Sequence, residues 1–209
     1  GGKIGYIHVP DTAVEGNREL FRGMYAYFDK EALIIDDRYN NGGFIPDIMT
    51  GLLQRTTINY AASRGIVERT PAIAHDGPKA MLINYAAGSG GDAFPYYFKM
   101  KKLGKLIGTR TWGGLVGLSG NAGLVDGGTV LVPTFGFFGL DGEWVVEGIG
   151  VYPDIEVYDE PHLVAKGKDP CIEKAVDVLL EELKKNPPRK TPKAPADPDR
   201  SKWHEKEIK

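Results

Sequence analysis

Residues 79–94 read KAMLINYAAGSGGDAF, and this stretch decides the fold because it joins a short apolar run to a turn of small residues. The run Lys79–Ile83 is typical of a strand buried in a parallel sheet, and we predict a helix over Asp92–Lys102. Ser89 stands in the turn between them, where its hydroxyl would lie near the free N–H groups at the start of the helix. Hydrolases place a nucleophilic serine in this way, although the same pattern also fits a helix N-cap.

The alternation of strand and helix extends over most of the chain. It predicts further elements at Lys3–Val9, Gly16–Lys30, Ala32–Asp36, Phe44–Arg55, Leu106–Arg110 and Cys171–Lys185. We therefore expect an α/β protein with a mostly parallel core sheet flanked by helices. Such sheets bind ligands at the carboxyl ends of their strands, where the glycine-rich turns Asn40–Gly43 and Gly88–Gly91 would lie. The segment Gly113–Glu147 is expected to be β-structured, with Thr129–Pro133 as its clearest strand.

Length and composition indicate one globular domain of ordinary composition. The 209 residues carry a net charge of −2, so no nucleic-acid or membrane partner is expected. Cys171 is the single cysteine, which excludes an internal disulfide. The sequence has no zinc-ligand motif, and we expect no metal or other cofactor. It also has no apolar run long enough to span a bilayer. We expect residues 1–185 to form the core and residues 186–209, rich in Pro and Lys, to form an extended or disordered tail.

Five short blocks stand out along the chain. They are DDRYNNGG (36–43), GSGGD (88–92), GTRTWGG (108–114), VEGIGVYPD (146–154) and KDP (168–170). In this order they resemble the C-terminal catalytic region of tricorn proteases, which are relatives of the carboxyl-terminal processing peptidases. The resemblance covers roughly residues 5–185 and implies a serine peptidase with an α/β sandwich akin to the ClpP and crotonase folds. Five ordered blocks are specific, whereas any one of them alone would be a weak signal.

The resemblance also implies roles for individual residues. Ser89 matches the nucleophile, and Gly42 and Gly90 match the two residues whose N–H groups form the oxyanion hole. The family often has an acidic residue where Gly90 stands, which a backbone donor does not require. Glu147 matches the acidic member of the catalytic set, which orients the histidine through a second serine. The plainer interpretation of Glu147 is a solvated carboxylate in a turn.

A substrate cleft is expected beside these residues. Gly43, Trp112, Gly113 and Gly114 are candidates to line it, since glycines would let a substrate strand pass as an added β-strand. Glycines also mark bulges and tight bends, which is the alternative here. Four aromatic residues would form either an apolar substrate wall or core: Phe135, Phe137, Phe138 and Trp144.

The general base is the missing part of the catalytic set. In tricorn proteases the histidine and its companion serine lie upstream of a PDZ-like domain, and nothing in this sequence resembles that segment. Of the four histidines, His8 is expected at a strand end in a half-buried structural position, and His75 in a surface turn. His162 and His204 are expected to be solvated. The chain therefore resembles the nucleophile half of a bipartite active site.

Partners follow from the same resemblance. We expect a peptide substrate, the upstream PDZ-like and His-bearing segments of the same parent protein, and assembly into a homo-oligomer. A cytoplasmic location is expected, with the periplasm left open because one cysteine fits either compartment. Two alternatives stay open: a peptide-binding homologue that has lost catalysis, and a crotonase-like enzyme that polarises an acyl thioester with its paired amides.

Overall fold

The fold is an α/β arrangement around one parallel sheet. A computed structural model describes residues 2–118 and 122–196. In chain order the elements are β1 (Ile4–His8), α1 (Val14–Ala26), β2 (Ala32–Asp36), α2 (Pro46–Leu53), β3 (Asn59–Ser63), β4 (Ile66–Thr70), β5 (Lys79–Ile83), α3 (Gly90–Met100), β6 (Gly104–Gly108), β7 (Ile155–Glu156), α4 (Pro161–Val164) and α5 (Pro170–Lys185). The sheet has the order β1-β2-β5-β6-β7, and every neighbouring pair is parallel. The predicted α/β class with a parallel core sheet flanked by helices is confirmed.

Helices cover both faces of the sheet, which explains why the central strands are continuously apolar. Every residue of β2 and of β5 is buried. Leu33 and Ile35 point to the face covered by α1, α2 and α3, whereas Ala32 and Ile34 point to the face covered by α5. Two-sided burial of this kind removes the alternation of polar and apolar residues that a half-exposed strand would show.

The register of the sheet brings two turns to one edge. Asp36, the last residue of β2, lies between His8 of β1 and Leu82 of β5. Because all three strands run in the same direction, the segments that follow β2 and β5 leave the sheet side by side. These segments contain Asn40–Gly43 and Gly88–Gly91, so the sheet places them together, as expected for parallel strands.

The glycine-rich segment differs from its prediction. Within residues 113–118 and 122–147 there is no strand, and pairing is limited to three isolated bridges, one of them between Gly123 and Thr129. The predicted strand Thr129–Pro133 is therefore wrong. Val130 and Leu131 are more than half exposed, so the apolar composition that suggested a strand does not correspond to burial here.

A hairpin was not predicted, although the sequence contains a signal for it. Strands β3 and β4 pair antiparallel and are joined by Arg64 and Gly65, with φ angles of +49° and +83°. Two consecutive residues with positive φ are typical of a type I′ turn, and glycine in the second position favours it. The hairpin lies apart from the main sheet as its own two-stranded unit.

The helix bounds shift by a few residues from the predicted ones. The first helix is Val14–Ala26 and the second begins at Pro46, a residue that favours the first turn of a helix. The last helix ends at Lys185 and residues 186–196 form no helix or strand; the rest of the predicted tail, residues 197–209, lies outside the described residues. The division into core and tail stays a prediction.

Among the helices described, none has the length and apolar character needed to cross a bilayer.

Candidate active site

Ser89 occupies a strained turn between β5 and α3. Its backbone has φ +56° and ψ −118°, a conformation that costs energy for a residue with a side chain. Hydrogen bonds hold it there: Ser89 N–H donates to Gly114 O at 3.0 Å, and Asp92 N–H donates to Ser89 O at 2.9 Å. A serine on a sharp strand-to-helix turn is the geometry of a nucleophile elbow, although the surrounding residues differ from the lipase motif.

The second turn packs directly against this serine. A Cβ atom added to Gly42 would lie 3.1 Å from Ser89 Oγ, and the N–H of Gly88 donates to Asn40 O at 3.1 Å. Gly42 and Gly43 have φ angles of +87° and +144°. Residues with side chains rarely adopt these angles, so glycine is needed for the turn to approach Ser89 so closely.

The backbone amides beside Ser89 differ in whether they have an acceptor within the protein. Gly42 N–H donates to Asn40 Oδ1 at 2.8 Å, as in an Asx turn, so it is engaged in this arrangement. The N–H groups of Gly43 and Gly90 have no acceptor among residues 2–118 and 122–196. The amides of Gly90 and Gly43 are therefore available to a ligand, and the predicted roles of Gly42 and Gly90 in an oxyanion hole stay a prediction.

Asn40 is locked in this position by buried partners. Its Nδ2 donates to Asp37 Oδ1 at 2.8 Å and to Val9 O at 3.1 Å. Asp37 is fully buried, and this burial raises its pKa well above the usual value. A side chain with three committed hydrogen bonds keeps its orientation, so the engagement of Gly42 is a fixed feature of the turn.

A buried carboxylate that the sequence did not reveal holds the segment after β6. Asp92, in the first turn of α3, accepts hydrogen bonds from Gly113 N–H at 2.8 Å and Gly114 N–H at 3.1 Å. Burial raises its pKa, while hydrogen bonds from Thr111 and these amides oppose the rise. Because Gly114 O receives the N–H of Ser89, Asp92 indirectly positions the candidate nucleophile. Its place in the first turn of a helix after a glycine run was the available signal.

Glu147 acts on the same segment from the other side. Its Oε2 accepts hydrogen bonds from Leu115 N–H at 2.6 Å and Val116 N–H at 2.9 Å. The residue is exposed, yet it is more than a freely solvated turn carboxylate because it holds two successive amides. The structure thus brings Glu147 to the segment that also binds the backbone of Ser89.

A cleft of about 300 Å³ opens beside Ser89. Phe44, Tyr97, Phe135 and Phe137 form apolar walls, and Asp47 contributes a carboxylate. Of the predicted cleft residues, Gly43 lines this space. Trp112, Gly113 and Gly114 lie instead against the Ser89 turn, where the Trp112 ring covers Gly88. Phe138 and Trp144 do not line the cleft and stack edge-to-face on each other, with ring centroids 6.1 Å apart.

A buried ion cluster anchors the turn that precedes Asn40. The Arg38 guanidinium contacts Asp36 at 2.7 Å, Asp169 at 2.8 Å and Asp159 at 3.1 Å. Asp159, Asp169 and Cys171 are the one group in the described ranges whose ligand atoms are close enough for a metal ion. Arg38 already supplies the positive charge there. Burial raises the pKa of the Cys171 thiol to about 12, so it stays protonated.

Two of the four histidines lie in environments that differ from the predicted ones. His8 is exposed rather than half-buried, since it lies at the end of the edge strand β1. His75 was expected in a surface turn but is 2% exposed, and its Nε2 lies 3.0 Å from Lys30 O. His162 is exposed as expected, and His204 lies outside the described residues. In the part of the chain that the structure covers, no histidine hydrogen-bonds to Ser89.

His75 should make stability depend on pH. Burial, followed by the charge of Lys79, lowers the pKa of His75 from 6.5 to about 4. The unfolded chain therefore binds a proton at His75 more readily than the folded chain does. The contribution of neutral His75 to the free energy of unfolding is fully present above pH 6.5 and is lost as the pH falls toward 4. We expect the free energy of unfolding to drop by about 2 kcal/mol between pH 7 and pH 5 from this group.

Urea denaturation at the two pH values measures this drop, with His75→Gln as the comparison. Glutamine keeps a donor for Lys30 O but does not titrate, so the variant should lose less stability on acidification. The exposed His162 offers a matched control, and His162→Gln should retain the wild-type pH dependence. An equal loss of unfolding free energy between pH 7 and pH 5 in wild type and in His75→Gln would contradict the role given to His75.

Fold and site together define an α/β protein with a candidate active site at the carboxyl edge of its sheet. The chain belongs to peptidase family S41, whose family model matches residues 3–157. It is similar to the tricorn protease of Thermoplasma acidophilum, with 41% identity over 184 residues that cover 88% of this chain and 17% of the relative. A putative tricorn protease homolog 2 of Streptomyces coelicolor is 38% identical over 205 residues, covering 97% of this chain and 17% of the relative.

Solved structures give the same result. A crystal structure of the tricorn protease superposes with a TM-score of 0.81 at 41% identity, covering 88% of this chain and 18% of that one. The photosystem II D1 C-terminal processing protease shares the fold, with a TM-score of 0.58 at 22% identity over 84% of this chain and 46% of that one. The chain thus spans less than a fifth of the length of these tricorn relatives.

Proposed function

We propose that this chain is the nucleophile-bearing part of a serine peptidase that cleaves peptides by acyl transfer. The observation that carries the proposal is Ser89 on its strained turn beside the two unengaged amides of Gly43 and Gly90. Ser89 Oγ attacks the scissile carbonyl carbon while a general base takes its proton. That proton then passes to the leaving amine as the peptide C–N bond breaks, and water hydrolyses the acyl-enzyme.

The oxyanion hole is proposed to consist of the amides of Gly90 and Gly43. Gly90 is the residue after the nucleophile and begins α3, so the helix dipole adds to its N–H. Gly42, the donor inferred from family resemblance, shapes the turn while its own N–H is held by Asn40. It would become a donor only if the Asn40 side chain moved away.

Glu147 is proposed to be the acidic member of the catalytic set. Its Oε2 is committed to two backbone amides, whereas its Oε1 has no protein partner among the described residues. This oxygen is available to accept a hydrogen bond from the companion serine that tricorn-type enzymes use to orient the base. The two bonds at Oε2 fix the carboxylate in place for that task.

The base and its companion serine are proposed to come from an upstream segment of a longer protein. Two observations support this proposal: the described histidines do not reach Ser89, and the chain covers less than a fifth of its tricorn relatives. The segment 122–145 is rich in exposed apolar side chains, with Val125, Leu140 and Trp144 each more than two thirds exposed. Exposed apolar surface of this extent is typical of contacts with other segments or subunits, which supports assembly into a homo-oligomer.

Gly43→Ala tests the oxyanion geometry. A Cβ atom at this position would lie 2.3 Å from Thr12 O, and φ is +144°, so the turn must shift. We expect kcat/KM for peptide hydrolysis to fall by about 10²- to 10³-fold, as when one oxyanion donor is removed. Gly51→Ala is the matched control, because its Cβ would meet open space within helix α2. Unchanged kcat/KM in Gly43→Ala would contradict the proposed donor.

The whole proposal is tested by labelling with a fluorophosphonate, followed by intact-mass measurement and peptide mapping. The chain and the longer protein in which we propose it resides are treated in parallel. Labelling of Ser89 in the longer protein alone supports a bipartite site. Labelling of the short chain as well would mean that a base is already present, with the exposed His8 as the first candidate. An absence of labelling in both would favour the alternative function, a binding homologue without catalysis.

A further inference from the structure

The cleft beside Ser89 runs along one side of helix α3. Gly90, Ala93 and Tyr97 all line it, and their spacings of three and four residues place them on the same face of the helix. At a rise of about 1.5 Å per residue, residues 90 and 97 lie about 10 Å apart along the helix axis. Ser89 is therefore at one end of the cleft and Tyr97 is toward the other, with the small Ala93 leaving room between them.

The remaining walls of the cleft are mostly apolar. Phe44, Leu115, Phe135 and Phe137 line it, and Phe44 and Phe135 are 78% and 42% exposed. Exposed aromatic surface beside a nucleophile is suited to bind the hydrocarbon part of a ligand, and the faces of aromatic rings also attract cations. The walls thus fit a long side chain with an apolar stem better than a short polar one.

Asp47 brings a negative charge to this apolar cleft. Among the described residues that line the cleft, Asp47 is the one with a charged side chain; it is exposed and lies in the first turn of α2. Burial, followed by the charge of Asp47, raises the pKa of Tyr97, which indicates that the carboxylate is close to the Tyr97 hydroxyl. None of the ion pairs formed within residues 2–118 and 122–196 includes Asp47. The end of the cleft away from Ser89 therefore carries a carboxylate that no described residue neutralises.

We infer that Asp47 makes the enzyme prefer lysine or arginine at the substrate position next to the scissile bond. This inference rests on the proposed function, because it needs Ser89 to be the nucleophile. The hydrocarbon stem of the substrate side chain packs against the aromatic walls, and its cationic head reaches the Asp47 carboxylate at the Tyr97 end of the cleft. Because Asp47 is exposed, the pair keeps part of its hydration and avoids the desolvation cost of a buried ion pair. A substrate carboxylate in the same place would be repelled, so the cleft selects by charge as well as by shape.

Asp47→Asn in the longer protein tests this preference with paired peptide substrates. One peptide of each pair carries lysine and the other carries norleucine, which has a similar unbranched stem without the charge. The variable residue stands directly before the scissile bond in one series and directly after it in the other. We expect the ratio of kcat/KM for lysine over norleucine to fall by about five- to tenfold in the series whose variable residue occupies the cleft. Asp47→Glu keeps the charge and should hold this ratio within about twofold of the wild-type value.

A purely structural role of Asp47 would give a different result. An acidic residue in the first turn of a helix stabilises that helix through its dipole, and loss of this effect would lower the melting temperature and reduce kcat/KM for both peptides alike. Glu173→Gln is the matched control, because it removes an exposed carboxylate from the first turn of α5, which packs on the opposite face of the sheet. This variant should leave the ratio for lysine over norleucine unchanged.

The outcomes separate this inference from the proposed function. A wild-type ratio below one in both series, or a ratio that Asp47→Asn leaves unchanged in both, would overturn the role of Asp47 while leaving Ser89 as the nucleophile. Equal losses for the two peptides in Asp47→Asn would also overturn it, because they indicate the structural role. A wild-type protein that hydrolyses none of the peptides and is not labelled at Ser89 by the fluorophosphonate would overturn both this inference and the proposed function.

Discussion

Ser89→Ala is expected to abolish peptide hydrolysis by the longer protein, lowering kcat by about 10⁵- to 10⁶-fold, as removal of a nucleophile does in serine peptidases. Ser89 is half-buried and lines the candidate cleft, and its hydroxyl makes no hydrogen bond to the described parts of the chain. Alanine keeps the Cβ atom in the strained turn, so the backbone bonds to Gly114 and Asp92 remain. Loss of activity should therefore come without loss of fold, and steady-state kinetics with circular dichroism measures both.

The control for Ser89→Ala is Ser63→Ala. Ser63 is an exposed serine on β3, so its removal should change neither activity nor stability. Turnover close to wild type in Ser89→Ala would show that another residue is the nucleophile. A large fall in melting temperature would instead show that the Ser89 side chain supports the turn, which the absence of a hydrogen bond at its hydroxyl argues against.

Arg38→Met is expected to have the largest effect on stability, lowering the free energy of unfolding by about 3–5 kcal/mol. Arg38 and Asp36 are both buried, and the guanidinium also pairs with Asp159 and Asp169. Methionine fills similar space but leaves three carboxylates without their cation. Although partial burial raises the pKa of Asp169, its hydrogen bond from Arg38 keeps the pKa below the usual value overall.

Urea denaturation of wild type and variant at several pH values measures this effect. The Asp169 carboxyl has a lower pKa in the folded chain than in the unfolded chain. The stability that Arg38 confers through Asp169 is therefore present above the pKa of the unfolded chain and is lost as the pH falls through the pKa of the folded chain. The difference between wild type and Arg38→Met should therefore shrink as the pH is lowered toward that range. Arg18→Met is the control, because Arg18 is exposed and pairs with Glu15 and Glu19 on α1, so its loss should cost less than about 1 kcal/mol. If Arg38→Met lowered the free energy of unfolding by as little as Arg18→Met, the ion cluster would not be the stabilising feature described here.

The same cluster connects the Asn40–Gly43 turn to the start of α5. Arg38 lies two residues before Asn40, and Asp169 accepts from Ile172 N–H at 2.9 Å at the start of α5. The ion cluster thus fastens the turn that carries the free amide of Gly43 to the helix on the opposite face of the sheet. A displacement there would be transmitted to the oxyanion donors, so Arg38→Met should also reduce activity.

Several parts of the fold could be predicted because their signals are local. Strands β2 and β5 were predicted with the bounds that the structure has, since each is a continuous apolar run ended by polar or turn-forming residues. The turn at Ser89 was predicted for the same reason, as a strand, a run of small residues and a helix follow one another within 16 residues. By contrast, Thr129–Pro133 has strand-like composition, but a strand needs a partner, and composition does not show whether one is present.

The sequence by itself thus determined the parallel α/β class, the position of Ser89 and the presence of a second glycine-rich turn. Only the tertiary structure decided which amides of the site are free, because Asn40 takes the N–H of Gly42 and leaves that of Gly43. It also decided the burial of His75 and the place of Asp47 in the cleft beside Ser89. The physical reason is the range of the interactions: periodicity and turn chemistry act over a few neighbouring residues, whereas hydrogen bonding and burial at the site depend on segments brought together by the register of the sheet.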